Sequence, residues 1–123
     1  MRLKVEPVRL AGKILGRLLE EYKLKLVIST QSAYASDTRS IHWRPRDGFT
    51  VLLHEAAHAA LRHKPTRDRG IRLLNELNAW LWAESACYLW GLPFDYKFAD
   101  RCFSTYASHV TGAWRWRIKW SHR

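Results

Sequence analysis

Residues Thr50–Arg62 read TVLLHEAAHAALR, and two features of that stretch decide how the chain is to be folded. Val51, Leu52, Leu53, Ala56, Ala57, Ala59, Ala60 and Leu61 surround the polar residues, which predicts a helix apolar nearly all round and therefore buried. His54 and His58 stand four apart, so on a helix both project from one face, close enough to reach a single ion, with Glu55 beside them. Two imidazoles and a carboxylate are costly in apolar surroundings unless something pairs with them, and a divalent metal does so. A purely structural metal would not need the intervening glutamate.

His-Glu-x-x-His on a helix is the pattern in which both histidines bind Zn2+ and the glutamate serves as general base toward a water at the metal. The expected chemistry is therefore hydrolysis of a peptide bond, with Glu55 as the catalytic residue and His54 and His58 as metal ligands.

The rest of the chain limits the setting. Its 123 residues, 47% hydrophobic, predict one compact domain over 1–123. No apolar run reaches membrane-spanning length and the opening MRLKVEPVRL lacks a signal-peptide core, so a cytoplasmic location is expected. Cys87 and Cys102 have no CxxC partner and fall in segments that read as helical, which predicts buried free thiols. The net charge of +10 favours nucleic acid, acidic membranes or acidic proteins as partners without choosing among them.

Upstream of the quoted stretch, Leu10, Ile14, Leu18 and Tyr22 recur at helical spacing and predict an amphipathic helix over Pro7 to Tyr22. Leu24 to Thr30 (LKLVIST) reads as a strand and Gln31 to Asp37 as a polar loop. Ser40 to Arg44 (SIHWR) alternates as a second strand, placed at the sheet edge, and Pro45 stops it before Asp47, the expected N-cap of the metal helix. In zinc peptidases the strand just ahead of that helix commonly pairs with an extended substrate, which makes His42 and Trp43 candidate substrate contacts.

Downstream, Lys64 to Gly70 (KPTRDRG) is a loop in which Asp68 or Thr66 can cap the next helix. His63, five after His58, reads as a charge at a helix end. The following helix, about Ile71 to Trp90, stops at Gly91 with Pro93 beyond. A catalytic zinc takes three protein ligands and water, so one is still missing, and the only acidic residues on this helix are Glu76 and Glu84. Either fits as ligand, and Glu84 can alternatively hydrogen-bond a ligand histidine.

From about Leu26 to Tyr106 the chain resembles the minimal gluzincin metallopeptidases of the ImmA/IrrE-like kind. These join a His-Glu-x-x-His helix to one that opens with a metal-binding Glu and continues Glu-x-x-Ala-x-x-x-Ala. The matching residues here are Glu76, Ala79 and Ala83, followed by Leu89 to Leu92 (LWGL) in place of the family's Leu-Gly ending. The resemblance implies a zincin-like fold, a zinc endopeptidase activity, Glu76 as the third ligand and a DNA-bound protein as a substrate class. Trp80 stands where many members have an Asp or Asn that supports a ligand.

Phe94 to Val110 predicts a closing helix, on which Tyr106 and His109 are candidate transition-state stabilisers. The tail Gly112 to Arg123 alternates Trp114, Trp116, Ile118 and Trp120 with Arg115, Arg117 and Lys119. It suits a strand, core packing, nucleic acid or an anionic membrane surface. The expected fold is α+β, a helix-dominated zincin-like domain with a small β-sheet. The expected function is that of a zinc metalloprotease acting on a protein or peptide. The alternative is a basic nucleic-acid-associated protein with a structural or narrowly specific zinc site.

Overall fold

The computed structural model describes residues 5–112 and 117–123, the backbone alone for residues 5–11. Of the tail, Trp114, Arg115 and Trp116 lie outside the described residues. The architecture is α+β and helix-dominated: α1 (Val5–Glu21), β1 (Lys25–Ile28), β2 (Ala33–Ala35), β3 (Ser40–Trp43), a 3-10 turn (Pro45–Asp47), α2 (Gly48–Ala60), α3 (Arg69–Trp90) and α4 (Tyr96–Thr111).

The sheet corrects the sequence reading in two ways. The stretch expected to be a polar loop contains a strand, β2, and the order is β1-β3-β2, so β3 is central and not an edge. β1 runs parallel to β3, with Leu26 opposite Ile41, and β2 runs antiparallel to it, with Tyr34 opposite Ile41. The hairpin is too short for alternation to be visible in three residues, and Arg39, in a left-handed conformation (φ 52°), closes it. The Arg39 guanidinium then donates to the Tyr22 carbonyl (2.6 Å) and the Tyr34 hydroxyl (2.9 Å), tying α1 to β2. His42 sits inside the sheet between Val27 and Ala33. Trp43 stacks on Phe49 and donates from Nε1 to the Gly48 carbonyl, so that side chain serves the fold.

Two apolar clusters hold the elements together. Ile14, Leu18, Leu24, Ile41, Leu52, Leu53, Ala56 and Ala59 join α1, the sheet and α2, with Ala83 and Cys87 from α3 completing the group. Trp80, Ala99, Phe103, Ala107 and Ile118 join α3, α4 and the C-terminal segment. Alanines at the closest helix contacts allow near approach of α2 and α3: Ala57, Ala59, Ala79 and Ala83 are fully buried. The metal helix therefore has one side in the first cluster and faces α3 with its histidines.

The caps follow simple chemistry except at one position. Asp68 accepts from the Ile71 amide at the start of α3, and Gly91 ends that helix in the left-handed conformation that glycine adopts freely. Asp47 precedes α2 but makes no side-chain cap bond. Its carboxylate is drawn away by the Arg44 guanidinium (2.6 Å) and the Ser32 hydroxyl (2.7 Å), which hold it below its ordinary pKa. Cys87 and Cys102 are free thiols, the first buried and pushed up to about 12 by that burial.

Candidate metal centre

The four-residue spacing on α2 places the Nε2 atoms of His54 and His58 3.2 Å apart. Glu76, on the first part of α3, meets both: one carboxylate oxygen is 3.0 Å from His54 Nε2 and the other 3.2 Å from His58 Nε2. The Nε2–Nε2 separation is close to the donor spacing of about 3.3–3.4 Å that a tetrahedral metal with bonds of about 2.0–2.1 Å sets, and the Glu76 carboxylate meets the two imidazoles through different oxygens. His54, Glu55 and His58 also present donor atoms within 4.8 Å of one another, and the group could hold a metal ion. Two carboxylates are thus within reach, and their surroundings differ. Glu76 contacts both imidazoles, whereas Glu55 is met by the backbone N–H of Tyr34.

The electrostatics agree with the donor set. Burial alone would raise the Glu76 pKa, but hydrogen bonds from His54 and His58, and their charge, override it and hold the carboxyl well below its usual range. Burial disfavours charge on His58, yet the Glu76 bond and the charges of Glu76 and Glu55 outweigh it and raise its pKa. Glu55 is raised by burial, against the pull of the two histidines.

The outer nitrogens of the two imidazoles are treated differently. Nδ1 of His54 is buried and has no hydrogen-bond partner among the described residues. In place of a polar support its ring lies on the indole of Trp80, at 3.8 Å between centroids and 25° between planes. Trp80 therefore orients the imidazole by stacking. Nδ1 of His58 is 2.8 Å from Nδ1 of His63. His63, expected to be a free charge at a helix end, is half-buried against a member of the cluster.

The remaining candidates separate. Tyr106 lines two adjoining clefts together with Glu55 and Glu76, and the Arg72 guanidinium sits 5.9 Å over its ring. The larger cleft encloses about 450 Å³ between β2, the 63–66 loop and the start of α3. His109, one turn beyond Tyr106, is exposed and lines, with Tyr106, Arg101, Cys102 and Thr105, a depression that includes neither Glu55 nor Glu76.

Glu84 stands apart from the histidines as well. Eight residues advance a helix by about 12 Å and turn it by about 80°, which takes the second glutamate off the site. It is 1% exposed, and its carboxylate accepts from the Tyr96 hydroxyl (2.8 Å) and the backbone amides of Ser121 and His122 (3.1 Å each). These bonds, the burial of Ile118 and a bond from Trp120 Nε1 to Asp100 pack the described end of the tail as irregular chain, not as a strand. Compared with known protein families, with curated proteins and with solved structures, the chain finds no match.

Proposed function

We propose that the protein is a zinc-dependent peptidase of the gluzincin type, with His54, His58 and Glu76 as ligands and Glu55 as general acid and base. The observation that carries this reading is a pair of imidazole nitrogens 3.2 Å apart with the Glu76 carboxylate against both and a Glu55 carboxylate oxygen within 4.8 Å of them. Zinc is favoured over calcium or magnesium because two of the three donors are imidazoles. When bound there, zinc supplies Lewis acidity to a water and to the scissile carbonyl.

The chain's own residues do the rest. Glu55, held by the Tyr34 amide next to both histidines, takes the proton from water and delivers it to the leaving amine. Its raised pKa brings that proton exchange closer to neutral pH. The Tyr106 phenol, on the wall of the same cleft, is placed to donate to the carbonyl oxygen as negative charge develops.

The free edge of β2 is where an extended substrate adds. Tyr34 directs its N–H away from β3 toward Glu55, so in an antiparallel ladder its carbonyl faces outward too and offers an acceptor to an added strand. Strand addition belongs to Ala33–Ala35 and not to the central strand at Ile41 to Trp43.

Glu55→Gln is expected to keep one zinc per chain and reduce cleavage of a proteome-derived peptide mixture by more than about a thousandfold. A variant that cleaves as fast as wild type removes Glu55 as the base. The resemblance to the ImmA/IrrE-like kind points to a DNA-bound protein as the target, and the charge of +10 is compatible with it. Binding to duplex DNA should then fall steeply as salt rises, and absence of binding at low salt removes that substrate class.

A further inference from the structure

We infer that His63 is a positioning residue for His58, delivered to it by the turn that ends α2, and that the metal site includes this contact as a working part. The inference rests on the zinc site proposed above.

The turn is built from three backbone features. α2 ends at Ala60 with Leu61 as its C-cap, and Arg62 follows in a left-handed conformation (φ 57°). The Arg62 amide donates to the Ala59 carbonyl (3.1 Å) and the His63 amide to the His58 carbonyl (2.9 Å). That pair of bonds is the Schellman arrangement, which folds the second residue after the cap back over the third residue before it. An apolar contact commonly occupies that place. Here it is filled by two imidazoles, with Nδ1 to Nδ1 at 2.8 Å and ring planes at 63°.

The tautomers follow from the contact. Only one of two nitrogens 2.8 Å apart can carry the shared proton. For His58 to offer a bare Nε2 toward His54 and Glu76, its proton must sit on Nδ1 and be donated to His63. His63 then carries its own proton on Nε2. A ligand histidine supported in this way is fixed in ring angle and in tautomer, and such outer contacts typically change metal affinity by about 10–100-fold. His54 lacks any such acceptor among the described residues, so the site depends on this one bond for polar orientation of its imidazoles.

The test compares zinc dissociation constants, by chelator competition, of wild type, His63→Leu and His63→Asn, alongside the visible spectra of their cobalt forms and their metal-free melting temperatures. The Asn side chain places an acceptor oxygen where His63 has Nδ1, while Leu fills space without one. His63→Leu should weaken zinc by about 10–100-fold and alter the cobalt spectrum, and His63→Asn should restore most of both. Equal zinc affinity in all three proteins overturns the positioning role. So does a loss in His63→Leu that merely tracks its melting temperature and is not rescued by Asn. If wild type itself binds no zinc, the metal centre falls and this role with it, an outcome separate from the first.

Discussion

Glu76 and Glu84 lie on one helix, eight residues apart, and do opposite things with the same functional group. Glu84 is buried and satisfied by hydrogen donors that have no other use: a phenol and two main-chain amides. Glu76 is partly open to a cleft and faces two imidazole nitrogens, each of which must be stripped of its proton to bind a metal. A carboxylate surrounded by obligate donors is finished as it stands. One that faces two imidazole nitrogens could share a cation with them, which is the role proposed for Glu76. Burial alone would have singled out Glu84.

Three measurements bear on that contrast. The largest effect is expected in zinc affinity: Glu76→Gln should weaken it by more than about 100-fold, beyond the usual range of an outer-shell change, while Glu84→Gln leaves it within about threefold. Equal losses in both would erase the distinction. Stability should show the reverse order. Glu84→Ala removes the acceptor shared by the Ser121 and His122 amides and the Tyr96 hydroxyl and is expected to cost about 3 kcal/mol, and Tyr96→Phe about 1 kcal/mol, both read by denaturant unfolding. Retention of full stability in Glu84→Ala would show that the C-terminal segment is held by its other contacts, the burial of Ile118 and the bonds of Trp120 and Arg123 to Asp100.

The smallest effect is in the pH dependence of the metal-free protein. Glu76 has a depressed pKa when folded, so its contribution is present above its unfolded value of 4.5 and is lost as pH falls below it. His58 has a raised pKa, so its contribution is present below 6.5 and is lost as pH rises through the folded value. The stability difference between wild type and Glu76→Gln, both without metal, should therefore be greatest between pH 4.5 and 6.5. A flat difference across that range would mean that the pair does not act in the folded state.

Much of the helical frame was legible because it rests on local chemistry. The metal helix, the Asp68 cap and the Gly91 stop are each specified by a few adjacent residues, and the structure carries all three. What the sequence hid was non-local or depended on where a helix ends. Ala33–Ala35 is too short for a periodic pattern, and its identity as a strand comes from pairing with β3. Asp47 was drawn off its cap by Arg44 and Ser32, the latter fifteen residues away. His63 falls off the metal face only if α2 is continued past Ala60, and the left-handed Arg62 reverses that geometry. The partners of Glu84 lie twelve and thirty-seven or more residues away, with no spacing to announce them.

The clasp on the C-terminal segment has a consequence for how freely that segment can vary. Glu84 grips the amides of residues 121 and 122, not their side chains, so the anchoring information is written in the backbone, which nineteen of the twenty amino acids supply equally. Ser121 can drift to almost any residue and the segment stays moored, whereas His122 adds a ring stacked on Tyr88 at 4.0 Å. Proline, which has no amide hydrogen to give, is the one letter the mooring cannot spell.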